Sequence, residues 1–152
     1  MYKELELYVR NLRKNNPSIK IVATNGCFDI LHIGHLKMLK HAKSLGDILI
    51  VGLNSDESVK SLKGPSRPIN NQENRKKLLE ELRCVDFVQI FYTATCEEFL
   101  SISKPNIYFK SGDYSIESLN KKEKAALDKS NTKILLGDLV PNISTTKISS
   151  LL

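Results

Sequence analysis

The chain reads as an α/β protein built on one doubly wound parallel sheet, and three observations predict it. Apolar β-branched runs alternate with helical patterns from residue 19 to the end. The run Asp47-Ile48-Leu49-Ile50-Val51-Gly52-Leu53 is continuously apolar, the mark of a strand covered on both faces. The stretch Thr24–His35 joins a strand to a helix through two glycines, which is how such sheets build their binding loops.

Each element follows from local chemistry. Leu5, Leu7, Val9 and Leu12 among charges predict a helix over residues 2–14, ended near Asn15-Asn16-Pro17. Strand one spans Ile19 to Asn25, and Leu36, Leu39, Ala42 and Leu45 mark a helix over Gly34–Leu45 that Gly46 is placed to stop. Strand two is the 47–53 run, followed after Asn54 by a short helix. Ser61–Pro68 has two prolines, a glycine and two cations too many for regular structure.

Asn71 is expected to cap a helix reaching about Arg83, with Leu78, Leu79 and Leu82 inward. Strand three is Phe87–Phe91, and Thr95 with Glu98 forms a capping box for a helix to Ser103. Pro105 breaks it before strand four, Ile107-Tyr108-Phe109. Lys110-Ser111-Gly112-Asp113-Tyr114 then reads as a polar loop. A charged helix over 117–129, strand five at Lys133–Leu136 and a terminal helix capped by Ser144 or Thr145 complete the chain. With strand order 3-2-1-4-5, the crevice at the carboxyl ends lies between strands one and four. The loops there are Asn25–His35 and Lys110–Tyr114.

Composition narrows the function. The 152 residues suit one domain, 1–152, with 1–17 as a helical extension. No run of 18 apolar residues is present and the N-terminus is charged, so neither a membrane partner nor a signal region is expected. Cys27, Cys84 and Cys96 have no metal-ligand spacing and read as reduced thiols of a cytoplasmic protein. The formal charge of +6 is spread among acids, as in Lys121-Lys122-Glu123-Lys124. A small anionic substrate, or merely a soluble surface, fits this at least as well as nucleic acid does.

His32 and His35, with Gly34 between them, stand at a helix start where unpaired N–H groups and the helix dipole favour phosphate. An imidazole can donate and be charged near neutrality. Residue types alone weigh a phosphate site evenly against two capping or surface histidines. A third ligand at metal spacing is missing, and His41 is out of step with the pair.

The segment Asn25-Gly26-Cys27-Phe28-Asp29-Ile30-Leu31-His32-Ile33-Gly34-His35 resembles the GxFDxxHxGH signature of the cytidylyltransferase-like nucleotidyltransferases. The resemblance runs from residue 20 to about 150 through Asn54-Ser55-Asp56, Lys63–Pro68, Glu73-Asn74-Arg75, Lys110–Tyr114 and Ile143–Ile148. The Ser66-Arg67-Pro68 element, the Lys110–Tyr114 loop and Ser144-Thr145-Thr146 are most similar to the adenylyltransferase part of ADP-heptose synthases. Many of those carry a sugar-kinase domain as well, so this chain would be a stand-alone transferase. Ser111 replaces a usual glycine, and Val140-Pro141-Asn142 departs from the segment that relatives carry before this terminus.

The resemblance implies a Rossmann-like domain that transfers AMP from ATP to a sugar 1-phosphate, a heptose 1-phosphate, as in lipopolysaccharide or capsule biosynthesis. The alternative is CTP-dependent transfer to glycerol 3-phosphate or a similar small phosphate. It implies that His32, His35, Lys63 and Arg75 handle the phosphates in catalysis. Asn25, Gly26, Cys27, Phe28, Asp29, Gly34, Asp113, Ser144, Thr145 and Thr146 would hold the nucleotide. Arg67 and Lys110 would hold the sugar phosphate. Asp113 would meet the ribose or base edge or help place Mg²⁺, and Asp29 is open between bonding its own loop and a Mg²⁺ role. Mg²⁺ would be held mainly through the triphosphate, and a homodimer is implied. An aminoacyl-tRNA synthetase, sharing the His-Ile-Gly-His tetrapeptide, is disfavoured by the short chain and the lack of a KMSKS-like segment. A non-catalytic binder would show no turnover and, with nucleic acid, a steep salt dependence.

Overall fold

The computed structural model describes residues 1–138 and 143–151, so Val140-Pro141-Asn142 lies outside the described residues. The elements are α1 (Lys3–Asn15), β1 (Ile21–Gly26), α2 (Ile33–Ser44), β2 (Ile48–Asn54), α3 (Asp56–Lys63), α4 (Gln72–Glu80), β3 (Phe87–Phe91), α5 (Glu97–Ser103), β4 (Ile107–Ser111), α6 (Lys121–Lys129), β5 (Lys133–Gly137) and α7 (Thr145–Ser149). The five strands form one parallel sheet, as the sequence predicts, in the order β3-β2-β1-β4-β5 that puts the crevice between β1 and β4.

Side chains alternate across a strand, so the apolar runs of β1 and β2 feed two cores. Ile21, Ala23 and Ile50 face a core made with α1, α5 and α6. Val22, Leu49, Val51 and Leu53 face a second one made with α2 and α4. Helix α1 belongs to the first core: Leu5 and Val9 are buried and the Tyr8 ring stacks on Phe87 at 4.7 Å. The residues expected as an extension therefore cover one face of the sheet.

The sheet opens where the site is expected. The β1–β4 ladder is confined to Val22↔Ile107 and Ala23↔Tyr108, although β1 continues to Gly26 and β4 to Ser111. Beyond that point the Tyr108 hydroxyl donates to Asn25 Oδ1 at 2.6 Å and ties the diverging strands together.

Several boundaries differ from expectation for tertiary reasons. β1 starts at Ile21 because Asp47 and Asn106 side chains take the Lys20 and Ile21 N–H groups. Gly46 is not a left-handed cap; an added Cβ would lie 2.7 Å from Val22 Cγ2 and 2.9 Å from the Lys20 carbonyl, so close packing requires it. α4 ends at Glu80, and Leu78 is 50% exposed rather than inward. The Thr95–Glu98 capping box does not form: the Thr95 hydroxyl bonds Glu97, and the Cys96 N–H donates to Glu123 Oε1 of α6 at 3.0 Å. Lys110 and Ser111 belong to β4, paired with Leu136 and Gly137 of β5, and not to a loop. α6 starts at Lys121, capped by Asn120, which shortens the helix expected from 117.

Candidate active site

The loop after β1 is held from below by charge. Asp29 is buried, and its carboxylate accepts from the Ile69 and Asn70 N–H groups, each at 2.9 Å, and from Arg67 Nε at 2.6 Å. Burial pushes its pKa up, but the Asn70 and Ile69 amides and Arg67 outweigh that and hold it below the ordinary value. Arg75 lies fully buried beneath the same loop. Its Nε donates to the Asn70 carbonyl at 2.9 Å, Nη1 to those of Cys27 (2.6 Å) and Asn54 (2.8 Å), and Nη2 to Asp56 at 2.7 Å.

These bonds give three of the expected site residues partners within the protein. Arg75 is enclosed and its guanidinium bonds the protein, so it braces the loop. Asp29 clamps the 67–70 segment, the loop-bonding alternative left open for it. Arg67 is nine-tenths buried between Asp29 and Ser149 and does not line the cleft described below. Among the described residues no group of three or more His, Cys, Asp or Glu is placed to hold a metal.

The two histidines meet at the start of α2. His32 is the N-cap residue: Nδ1 accepts from the N–H groups of Gly34 at 3.1 Å and, at 3.4 Å, of His35. A neutral imidazole that accepts at Nδ1 carries its proton on Nε2, which leaves a donor for a ligand. Capping and ligand recognition thus coexist. His35 stacks on His32 with ring centroids 3.8 Å apart and tilts against Phe28 at 5.1 Å. Burial, with His32 and Lys63 nearby, lowers the His35 pKa to about 4; burial lowers that of His32 as well. Both rings are therefore neutral donors at pH 7, not the cations that an ordinary imidazole could become. His41 lies apart, edge-on to Phe109.

Glycine at 34 is required by this packing, since an added Cβ would lie 2.9 Å from the His32 ring. At Gly26 it would lie 3.0 Å from the Phe28 ring, so this glycine protects the packing of the loop itself. Phe28 holds that ring buried with φ of +45°, a left-handed backbone that a non-glycine residue rarely adopts.

A cleft of about 510 Å³ opens at the carboxyl ends of β1 and β4. Asn25 to Asp29, His35, Lys63, Lys110, Thr145 and Glu123 contribute to its wall. A recess of about 230 Å³ adjoins it across His35, Lys63 and Thr145, and His32, Gly34, Ser144 and Thr146 line that recess. The Thr145 hydroxyl donates to the Ile30 carbonyl at 3.0 Å, docking the chain terminus on the histidine loop. Ser144 caps α7 through the Lys147 N–H. Lys110 sits 4.6 Å from the Tyr114 ring centroid. Burial raises the Cys27 thiol pKa, so no thiolate nucleophile is offered there. Asp113 is exposed and lines neither space, so the structure does not bring it to the other site residues.

Sequence reading missed Glu123 in this cleft, although it left a signal: Leu119, Ala126 and Leu127 are buried around it at helical spacing, which places this glutamate on the inward stripe of a helix read as charged and solvated. It also missed Tyr108, which gave no local signal and which supports the cleft from the core through its bond to Asn25. A larger hollow, about 680 Å³, lies among Arg13, Lys104 and Asn131 and holds none of the predicted residues. It opens at the amino ends of the strands, opposite the crevice where doubly wound sheets bind ligands.

Comparison with known proteins gives the family. The cytidylyltransferase-like family model matches residues 23–151. The chain is 52% identical over 113 residues to the bifunctional protein HldE of Aliarcobacter butzleri, covering 74% of this chain and 23% of that one. It is 47% identical over 146 residues to the HldE of Sulfurimonas denitrificans, covering 96% and 29%. It therefore spans about a quarter of the length of these curated relatives. A lipopolysaccharide core biosynthesis protein from Thermoplasma volcanium superposes with a TM-score of 0.65 at 27% identity, covering 81% of this chain and 98% of that one. With the matched region enclosing the β1 loop, the histidine pair and the α7 terminus, the chain belongs to the cytidylyltransferase-like family of nucleotidyltransferases.

Proposed function

We propose that the chain transfers AMP from ATP to a heptose 1-phosphate, releasing pyrophosphate and forming an ADP-sugar. The observation that carries this reading is the pairing of two neutral histidine donors and Lys63 with a second, larger space contiguous with theirs. The names of the relatives, HldE and lipopolysaccharide core biosynthesis protein, support a sugar acceptor. A phosphate oxygen of the acceptor attacks the α-phosphorus, a new P–O bond forms, the α–β bridge breaks and pyrophosphate leaves. Such a step needs alignment and charge neutralisation more than a covalent nucleophile.

In this mechanism His32 Nε2 and His35 donate to the phosphates, and Lys63 supplies the nearby positive charge. The backbone of Asn25–Phe28 and the Gly34 turn border the triphosphate, and Ser144, Thr145 and Thr146 enclose its far side. Lys110 meets the acceptor phosphate. Arg75, Asp29 and Arg67 hold the loop that presents these groups. Mg²⁺ would enter with the triphosphate and be held mainly through it, since the Asp29 oxygens are bonded within the protein. Residues 1–152 supply a nucleotidyltransferase domain of a cytoplasmic enzyme; a homodimer is carried over from the resemblance.

Pyrophosphate release measured with ATP, CTP, GTP and UTP across hexose, heptose and glycerol phosphates tests the proposal. Turnover is expected with ATP and a heptose 1-phosphate, and turnover with CTP alone would overturn it. Gly34→Ala should lower kcat/KM roughly 10–10²-fold by displacing His32, in the range for a misplaced catalytic group. Steady-state kinetics beside a melting curve separates that from unfolding, because alanine is itself favourable in a helix.

A further inference from the structure

Glu123 is 92% buried by its 8% exposure, yet the ion pairs of the described residues use Asp29, Asp56, Glu80 and Asp86 and leave Glu123 without a cation. A buried carboxylate without a charged partner is costly unless hydrogen bonds replace its water. Oε1 accepts from the Cys96 N–H at 3.0 Å and the Cys96 thiol at 3.3 Å. No hydrogen bond among the described residues involves Oε2, and the residue lines the 510 Å³ cleft together with His35 and Lys63. Lys110, which lines the same cleft, sits over the Tyr114 ring.

A carboxylate repels phosphate, so Glu123 itself holds neither the triphosphate nor the acceptor phosphate, which the lysines Lys63 and Lys110 of the same cleft attract. An ionised carboxylate only accepts hydrogen bonds, and sugar hydroxyls are neutral donors. Resting on the function proposed above, we infer that Glu123 is a specificity-determining residue that accepts hydrogen bonds from hydroxyls of the acceptor sugar, while the nucleotide occupies the histidine side. Its position is rigid, since the Cys96 amide at the start of α5 fixes one oxygen and the α6 stripe buries the stem. Rigid carboxylate–hydroxyl bonds in a desolvated wall are strong, and an acceptor lacking the hydroxyl leaves the carboxylate unpaired.

Glu123→Gln keeps an oxygen for the Cys96 amide and removes the charge; Glu123→Ala removes both. With ATP saturating and hexose and heptose 1-phosphates as acceptors, KM for the acceptor should rise about 10-fold in the first and about 10²-fold in the second. KM for ATP should stay within about twofold and kcat within about threefold, a split that mere loss of structure would not produce. Monodeoxy sugar 1-phosphates extend the test without any variant: the analogue lacking the contacted hydroxyl should lose about 10-fold in kcat/KM with the native enzyme and much less with Glu123→Gln. If Glu123→Ala fails to fold, these two measurements still decide. An unchanged acceptor KM in Glu123→Gln, a rise in the ATP KM instead, or a flat deoxy series would overturn the inference while leaving adenylyl transfer in place. A native enzyme that turns over none of the sugar 1-phosphates would overturn both.

Discussion

His35→Ala is expected to lower kcat by roughly 10²–10³-fold, the loss that follows removal of one donor aimed at developing charge. The ring is positioned for this by its stack on His32 and its contact with Phe28, so alanine removes the donor and half of the stacked pair. Single-turnover measurement of pyrophosphate release gives the chemical step directly; an undiminished rate would exclude His35 from it. The same variant has a signature in stability. A histidine in the unfolded chain takes its proton near pH ~6.5, whereas His35 in the fold does so near pH 4. Between those values the unfolded chain binds more protons, so native stability falls as pH drops through the window and is fully present above it. The loss amounts to no more than roughly 3 kcal/mol, from the size of the shift. Urea titrations at pH 7 and pH 4.5 should therefore show a smaller difference for His35→Ala than for the native chain, and equal differences would contradict burial of a neutral ring.

Arg75→Met is expected to destabilise the fold by about 3–5 kcal/mol, the range for breaking a buried ion pair from one side. Methionine matches much of the stem but leaves the Cys27, Asn54 and Asn70 carbonyls and the Asp56 carboxylate without their donor. For a chain of this size that corresponds to a fall in Tm of about 10 °C. Arg75→Lys keeps the charge but cannot reach four acceptors in one plane, and should recover only part of the loss. Calorimetry or urea unfolding checks both. An unchanged midpoint combined with weakened ATP binding would return Arg75 to the triphosphate, the role that the sequence motif implies.

Arg75, Arg67 and Lys63 show where sequence reading stops. All three stand in motif positions, and as residue types they are interchangeable suppliers of positive charge. Lys63 ends α3 and borders both the cleft and the recess. The two arginines instead turn inward to carbonyls and carboxylates that lie up to 48 residues away. The acid residues divide in the same way: Asp29 bonds its own scaffold, Asp113 is exposed, and Glu123, never singled out, lies buried in the cleft wall.

By itself the sequence determined the order of elements along the chain, the doubly wound parallel sheet, and the placing of the histidine pair at a strand-to-helix turn. These depend on apolar period, glycine and proline positions and helix caps, all carried by residues within a few positions of one another. Only the tertiary structure decided that α5 takes its cap from Glu123, that Arg75 and Asp29 are braces, and that both active-site imidazoles are neutral. Each of these turns on desolvation or on a hydrogen-bond partner distant in the chain. The free energy of a charge is set by which atoms surround it, and those neighbours exist only once the two layers of helices have closed over the sheet.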